Sequence, residues 1–509
     1  MFQPPPPCVR GSTRCLPDRT GVEFCDGTGW LLQQRCDTLP GQRCDAGRCI
    51  GPCDQLPPGN VGCVFYPANL WSTSDAGDFG IVATNTSDRL AAEVTLSDAT
   101  GLIEKQTAMP GGVVIFRLPH GRNKLIQTEQ AQKGFVLRST APVSVYQFHP
   151  IDAARVYSGS ATLLLPEQVL ARTYFVISYT YNAELLTTPP QGQGFVAVVA
   201  TQDGTQVEIT VPVQTKPGAG VPGVPAGGTL RRTLQRLEVL EVIQANSLED
   251  ISGAQVRASA PVVVFGGAGG VSIPRTAVGG NHLGIQMFPL ETWGKRYLAA
   301  KLKQRNATDR DYYRILASVD GTRVTLAGPP GLPRVPELQR GTFFEFDTDA
   351  DFEIVADHPI AVFQYMPAWG NLSGRYDPAD FPDGVSPMCP YRTGPDNVRC
   401  IGDANMTPLV PVEQYRADYI FYVPLSYSYD YIQITAPLGT TLRLDGNVVN
   451  EPLRPIGTTL LGRAILRVRP GSHRIVGSMP MGLLGYGYAY ATSYSYAGGL
   501  NLERINPIE

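Results

Sequence analysis

Four similar segments, each with a proline just before an apolar run, constrain the fold of this chain more than any other feature. They read LRSTAPVSVYQFH (137–149), QVRASAPVVVFGGAGGVS (255–272), IVADHPIAVFQY (354–365) and RIVGSMPMGLLGY (474–486). Proline has no amide hydrogen for a sheet ladder, so it belongs at the first residue of a strand or on an edge. The prolines are separated by 119, 98 and 121 residues. This spacing predicts an internal repeat built from strands.

Two further markers set the phase of the repeat. The pattern P-x-x-x-[L/W/Y]-x-x-x-Y begins at Pro166, Pro289 and Pro411, with a degenerate first copy at Pro67. Alternating apolar residues around a turn glycine follow in each copy and indicate a hairpin. The markers predict four β-sandwich-like units, at about 67–165, 166–288, 289–410 and 411–509. Two arrangements remain open: the units could share strands, or they could close on one another as a propeller does.

The composition agrees with an all-β fold and excludes two kinds of partner. Charged residues are 17% of the chain, below the ~25% typical of soluble domains, while glycine (54) and proline (44) are plentiful. The net charge of −3 offers no basic surface for nucleic acid. No apolar run is long enough to predict a transmembrane segment. We therefore predict many short strands joined by turns.

Cysteine is concentrated at one end of the chain. Residues 1–63 carry eight of the ten cysteines and too few apolar residues for a core. Without a C-x-x-C pair or a histidine in this segment, a closed zinc site is not expected. An even, dense cysteine set predicts a small disulfide-stapled segment, which could be a spacer or a recognition module. The disulfide candidates are Cys8, Cys15, Cys25, Cys36, Cys44, Cys49, Cys53, Cys63, Cys389 and Cys400, with no predicted connectivity.

Disulfides of this kind indicate an oxidising compartment, so we expect an extracellular or outer-surface protein. The first residues, MFQPPPPC, lack the basic and apolar regions of a signal peptide. If the protein is exported, the leader is therefore expected to be absent from this sequence.

Catalytic and metal-binding signatures are scarce. The chain has no G-x-S-x-G elbow, no H-E-x-x-H motif and no P-loop ending in Lys-Ser/Thr. The five histidines are distributed over different units and are expected to be structural. Asp347, Asp349 and Asp351 could gather around Ca²⁺, but a solvated turn is the preferred interpretation. We expect no catalytic residue, no metal and no cofactor.

Tyrosines at alternate positions in the last unit are the candidate binding residues. Period two places them on one face of a strand or hairpin. Tyrosine offers a large rigid contact area with a hydroxyl group, which suits binding of proteins or sugars. The same rows could instead be cross-strand pairs that stabilise the unit. The candidates are Tyr427, Tyr429, Tyr431, Tyr486, Tyr488, Tyr490, Tyr494 and Tyr496.

Several motifs in order resemble the IgGFc-binding protein N-terminal domain family. They are SGSATLLLPEQVLARTYFVISYT (158–180), NHLGIQMFPLETWGKRYLAAKL (281–302), the recurring A-P-V-x-V-[F/Y] strand and GYGYAYATSYSYAGGLNLE (485–503). The resemblance covers about residues 64 to 505, which defines a second region, 64–509, after the cysteine-rich segment. The cysteine-rich segment at residues 1–63 is similar to that of bacterial members of the family, notably from myxobacteria. The resemblance implies an extracellular, non-enzymatic binding or adhesion role, but no antibody-contacting motif carries over.

The predicted function is therefore recognition of a protein or glycan ligand, which stays unidentified, by a secreted or surface-displayed β-repeat protein. A structural component of the cell envelope or matrix is the first alternative, and self-association is left open. A glycan-acting enzyme is the second alternative. It would need two facing carboxylates, for which Asp311 and Asp377 are unpaired candidates.

Overall fold

A computed structural model describes residues 8–37, 41–74, 76–152, 156, 158–180, 192–277, 279–372, 380–381 and 400–506. Within these ranges the chain forms strands and short 3-10 turns but no α-helix. The 3-10 turns are Glu167–Val169, Leu290–Thr292, Trp369–Asn371 and Val412–Gln414. No helix of this part of the chain has the length and apolarity to cross a membrane. The predicted all-β fold class is confirmed.

Disulfides hold the N-terminal segment together around a very small core. Its strands are β1 (Thr13–Cys15), β2 (Gly21–Cys25), β3 (Trp30–Arg35), β4 (Arg43–Asp45) and β5 (Arg48–Ile50). The bridges are Cys8–Cys25, Cys15–Cys44, Cys36–Cys49 and Cys53–Cys63, which confirms the prediction for these cysteines. Cys400 is also disulfide-bonded, whereas Cys389 lies outside the described residues.

The remaining strands follow in four groups along the chain. The first group is β6 (Val61–Phe65), β7 (Phe79–Asn85), β8 (Ala92–Asp98), β9 (Gly101–Ala108), β10 (Val113–Leu118), β11 (Glu129–Ala131), β12 (Val136–His149) and β13 (Ser160–Leu164). The second is β14 (Ala171–Phe175), β15 (Gly194–Ala200), β16 (Thr205–Thr210), β17 (Thr229–Leu234), β18 (Val239–Ile243), β19 (Gln255–Val271) and β20 (Asn281–Gln286).

The third and fourth groups repeat this order. The third group is β21 (Arg296–Ala299), β22 (Asp311–Ala317), β23 (Val324–Ala327), β24 (Phe343–Thr348), β25 (Phe352–Ala356), β26 (Ile360–Met366) and β27 (Asn405–Pro408). The fourth is β28 (Arg416–Val423), β29 (Tyr429–Pro437), β30 (Leu442–Leu444), β31 (Asn447–Val448), β32 (Arg454–Pro455), β33 (Leu461–Arg467), β34 (Gly471–Ala489) and β35 (Thr492–Ala497).

Each unit has two groups of paired strands, which one long strand joins into a continuous sheet in the first, second and fourth units and which form separate sheets in the third. The marker proline lies where the chain passes from one group to the other. In the second unit, β19 pairs with β16 through Gln255–Ala258 and with β15 through Val262–Ala268. Pro261 lies between these stretches, where neither ladder needs its missing amide hydrogen. The same change of partners occurs at Pro142, Pro359 and Pro480.

A tyrosine from the second marker hydrogen-bonds to the chain at three of these crossings, those at Pro261, Pro359 and Pro480. The Tyr174 hydroxyl donates a hydrogen bond to the carbonyl oxygen of Val262, the residue after Pro261, at 2.9 Å. Tyr297 and Tyr419 donate in the same way to Ile360 and Met481. The second marker therefore has a physical role, because its hydroxyl satisfies a carbonyl where the strand leaves one sheet.

The first copy of this marker does not begin at Pro67, as the sequence pattern suggested. Phe65 pairs with Leu137, five residues before Pro142, as Tyr174 pairs with Val256, five residues before Pro261. The true first copy therefore runs from Pro57 to Phe65. The prediction was wrong because phenylalanine replaces the tyrosine on which the pattern depends.

The last strands of the four units meet at the centre of the molecule. Strand β13 contacts β20 and β35, and β27 contacts the same two strands, so the four close into a ring. Polar side chains bond across the centre: Asn405 Nδ2 donates to the carbonyl oxygens of Gly159 and Ser493, at 3.1 and 3.2 Å. Strand β11 also joins the sheet of the second unit beside β18. The units thus both share a strand and close on one another.

Candidate functional site

The eight tyrosines proposed as a binding surface lie in the fourth unit, and seven of them are buried. The seven, none more than 6% exposed, are Tyr427, Tyr429, Tyr431, Tyr486, Tyr488, Tyr494 and Tyr496. Tyr490 is partly buried. Burial agrees with the alternative that these rows are cross-strand pairs, and a role of these residues in ligand binding stays a prediction.

The tyrosines form cross-strand pairs within one sheet of the fourth unit. Tyr486 and Tyr488 on β34 lie opposite Tyr431 and Tyr429 on β29. The ring centroids of Tyr431 and Tyr486 are 5.6 Å apart and stacked. Such pairs add stabilisation beyond the burial of their surface.

Glycines alternate with these tyrosines because rings also cover the other face of β34. A Cβ atom at Gly485 would lie 2.5 Å from the Cζ atom of Tyr496, and one at Gly487 would lie 2.5 Å from Cε1 of Tyr494. Both faces of the strand are therefore inside the protein. Period two identified the faces correctly, but it carries no information on what covers each face.

Two of the buried hydroxyls hold a loop that reaches the surface. The backbone N–H of Lys303 donates to the Tyr486 hydroxyl, and the Tyr488 hydroxyl donates to the Lys303 carbonyl oxygen, both at 2.9 Å. Lys303 belongs to residues 300–310, which connect β21 to β22. Tyr486 and Tyr488 thus support this loop from the interior of the protein.

Buried charges fix the same loop. The Arg305 guanidinium, fully buried, pairs with both carboxylate oxygens of Asp309 at 2.9 and 3.0 Å. Lys301 Nζ lies 2.8 Å from Asp311 Oδ1. Burial opposes the ionisation of Asp309, but Arg305 and Lys301 outweigh it and lower the pKa of that carboxyl. Two cations and two anions in fixed contact make the loop rigid, since separating any pair would leave a buried charge.

A groove of about 830 Å³ opens between this loop and the fourth unit. Strand β33 forms the wall opposite the loop, with Arg463, Ile465 and Arg467 at alternate positions. Charged and amide side chains dominate the lining. The lining residues are Lys301, Leu302, Lys303, Gln304, Asn306, Ala307, Asp349, Asp380, Tyr431, Glu451, Arg454, Arg463, Ala464, Ile465 and Arg467.

The charges of the groove are mostly paired within the protein. Arg463 Nε lies 2.6 Å from Asp351 Oδ2, which joins the fourth unit to the third. Lys303 Nζ lies 2.7 Å from Asp380 Oδ2. Arg467 differs, because its guanidinium lies over the ring of Tyr429, 5.3 Å from the centroid. The groove walls are therefore set in advance of any ligand.

The carboxylates considered for catalysis or metal binding have arginine or lysine partners. Asp347 and Asp349 both face Arg310, at 2.6 and 3.4 Å. Asp311 is buried against Lys301, and its proposed counterpart Asp377 lies outside the described residues. The described part of the chain contains no cluster of three or more His, Cys, Asp or Glu side chains suited to a metal ion.

Histidines from two units meet beside the central ring. The rings of His149 and His282 are buried with centroids 5.0 Å apart. His149 Nε2 accepts the backbone N–H of Leu70 at 3.1 Å, and His282 Nδ1 lies 2.7 Å from the Ser160 hydroxyl. Burial, with a smaller effect from the Lys124 charge, lowers the pKa of His282 to about 3. Both rings are neutral near pH 7 and pack as core residues.

Comparison with known proteins identifies the family of this chain. A family model described as "IgGFc binding protein" matches residues 160–487. The chain belongs to this family. It is similar to the IgGFc-binding protein of Homo sapiens, with 25% identity over 443 residues, covering 84% of this chain and 7% of that protein. The chain therefore spans a small part of its human relative's length, and the resemblance in the sequence motifs is confirmed.

Solved structures show only distant likeness. A glycoside hydrolase family 32 structure from Bifidobacterium adolescentis is 9% identical, covers 86% of this chain and 96% of its own, and has a TM-score of 0.16. A GH78 family rhamnosidase of Bacillus sp. GL1 is 8% identical, covers 61% of this chain and 53% of its own, and has a TM-score of 0.11. At such scores neither supports a conclusion on fold or activity.

The groove residues were missed at the level of sequence. Their one local signal is the alternation in LGRAILR (461–467), which places Arg463, Ile465 and Arg467 on one face of a strand. The loop across the groove lies about 160 residues earlier in the sequence, so only the three-dimensional fold brings the two walls together.

Proposed function

We propose that this chain is an extracellular, non-enzymatic binding protein that takes up a protein partner in the groove between its third and fourth units. Membership of the IgGFc-binding family supports a protein ligand. Four disulfides in the N-terminal segment support an oxidising, extracellular compartment. Cell-surface adhesion and a bacterial origin belong to the same proposal.

One observation carries the proposal: the groove is large, and its walls are held rigid from inside. The tyrosine hydroxyls and the buried Arg305–Asp309 pair fix one wall, and the fourth-unit sheet fixes the other. A preorganised surface loses less conformational entropy when a partner binds. Tyr486 and Tyr488, which hold the loop from inside, would then matter for binding without touching the ligand.

Filling the groove tests the proposal. Gln304 and Ala307 line the groove and are exposed, so Gln304→Trp with Ala307→Trp adds bulk there without disturbing a buried contact. Leu460, 83% exposed and outside the groove, gives the control Leu460→Trp. Each variant and the wild type, kept oxidised, would be measured by biolayer interferometry against purified extracellular proteins that include human IgG Fc, and on a glycan array.

We expect at least one protein to bind the wild type and the control, and to bind the double variant at least tenfold more weakly. Equal binding by all three would place the partner elsewhere and reject the groove. Binding to glycans alone would favour a sugar ligand, and ordered self-assembly without either ligand would favour a structural role in the envelope or matrix.

A further inference from the structure

Among the described residues, one edge of strand β33 beside the groove is free. On one side it pairs along its length with β29. On the other side it pairs only with the two residues of β32, through Gly462 and Arg463. No strand of the described chain covers this side at Ile465 or Arg467. An uncovered edge presents backbone donors and acceptors that another chain can use.

The backbone groups of Ile465 and Arg467 point toward this free side. The backbone N–H of Val468, the residue after β33, donates to the carbonyl oxygen of Asp430 in β29 at 3.0 Å. In an antiparallel pair the hydrogen-bonded residues alternate along each strand. Residues 464, 466 and 468 therefore bond toward β29, and 463, 465 and 467 bond outward.

A proline explains why the edge is open. Continuing the register of Arg454 with Arg463 would place Pro452 opposite Ile465. Proline has no amide hydrogen to donate to the Ile465 carbonyl oxygen, so the internal strand ends there. Within the described ranges, the chain covers this edge up to Arg463 and leaves the next two outward-facing residues, Ile465 and Arg467, uncovered.

The side chains at this edge define the chemistry of a partner. Among the described residues the exposed Arg467 guanidinium forms no salt bridge: it lies over the ring of Tyr429, donates a long hydrogen bond of 3.5 Å to the Ser428 carbonyl oxygen, and acts on the buried Asp430 carboxyl only through its charge. Ile465 on the same face is half-buried and apolar. Directly opposed residues of an added strand would meet these two side chains, at positions two residues apart.

We propose that an extended acidic segment of a partner protein binds by adding a strand to the free edge of β33. A carboxylate of the segment pairs with Arg467, and an apolar side chain two residues away packs on Ile465. The backbone of the segment bonds to Ile465 and Arg467. This inference rests on the proposed function, because it names the chemistry of the partner in the same groove. A charged edge that merely prevents aggregation is the competing explanation.

Labelled peptides distinguish the two explanations by fluorescence anisotropy with the oxidised full chain. The probes are an octapeptide of alternating Thr with Val and Glu, TVTETVTE, its Lys counterpart TVTKTVTK, and the acidic peptide with N-methylated backbone amides. We expect the acidic peptide to bind at least tenfold more tightly than either of the others. Arg467→Glu should reverse the preference between acid and lysine, whereas Arg443→Glu, an exposed change on β30, should leave it unchanged.

Equal binding of the N-methylated peptide would overturn strand addition, and no binding of the acidic peptide would leave edge protection as the explanation. The peptide experiment can fail independently of the proposed function. If the groove-filling variants lose a protein partner while the peptides do not bind, the groove stands and the strand addition falls. If the peptide binds while those variants retain every protein partner, the proposed function falls.

Discussion

The N-terminal segment and the fourth unit hold short strands together by different means. In β3, Leu31 and Leu32 are 57% and 53% exposed, and the segment depends on disulfides. In the fourth unit, Tyr486 and Tyr488 are fully buried, and the sheet depends on packing against neighbouring units. A short segment that cannot bury enough apolar surface needs covalent bridges, whereas a closed ring of units buries surface that no unit could bury alone.

Reduction is expected to separate the two regions with the largest effect. Each bridge of the segment closes a loop of 10 to 29 residues, worth about 3 kcal/mol on the chain-entropy estimate. Dithiothreitol should therefore unfold residues 13–50 while β29 and β34 of the fourth unit stay folded. Hydrogen exchange followed by mass spectrometry measures both regions at once. An equal loss of hydrogen-exchange protection in both regions would contradict the claim that only the N-terminal segment depends on its disulfides.

Truncating a buried tyrosine should destabilise the fourth unit by a smaller amount. Tyr488→Ala leaves a cavity and removes the hydrogen bond to the Lys303 carbonyl oxygen. We expect a loss of about 3–5 kcal/mol in the free energy of unfolding, as for other large aromatic truncations. Tyr490→Ala, at a partly buried site, should cost less. Urea unfolding compares the two, and equal losses would show that burial does not distinguish them.

Acid should weaken the ring of units rather than the stapled segment. The pKa of His282 falls from 6.5 to about 3 on folding, so below pH 6.5 the unfolded chain binds a proton that the folded chain does not. The stability contributed by the neutral ring is present above pH 6.5 and is lost at about 1.4 kcal/mol per pH unit as the pH falls toward 3.

Removing the histidine isolates this effect from other titrating groups. Between pH 6.5 and 4.5, wild type should lose about 2 kcal/mol more unfolding free energy than His282→Gln, because the unfolded histidine is already half protonated at pH 6.5. The control His358→Gln changes an exposed side chain and should keep the wild-type slope. Urea unfolding at the two pH values supplies the comparison. Parallel losses in all three proteins would contradict a buried neutral His282.

Replacing a marker proline should have the smallest effect. Pro261 lies between the two stretches of β19 pairing and donates no hydrogen bond there. Pro261→Ala mainly increases the conformational entropy of the unfolded chain. We therefore expect the free energy of unfolding, measured by thermal or urea unfolding, to fall by about 0.4–1 kcal/mol. A loss of several kcal/mol would instead show that the ring of Pro261 is needed for packing.

Local patterns predicted the strands, the marker prolines and the disulfides because each depends on neighbours in the sequence. The first copy of the tyrosine marker was missed where Phe65 replaces tyrosine. Burial of Tyr486 and Tyr488 could not be predicted from alternation, since what covers a face is a different unit. The groove forms where residues 300–310 lie opposite β33. These two segments are far apart in the sequence, so no local pattern could predict the groove.

The most direct test of the groove as the binding site is photo-crosslinking from inside it. A photoreactive phenylalanine at position 307, inside the groove, is compared with one at position 460, outside it. Each oxidised variant is irradiated with the protein that binds best in the panel. The account predicts crosslinks from position 307 and few or none from position 460. Crosslinks from position 460 alone, with position 307 silent, would contradict it.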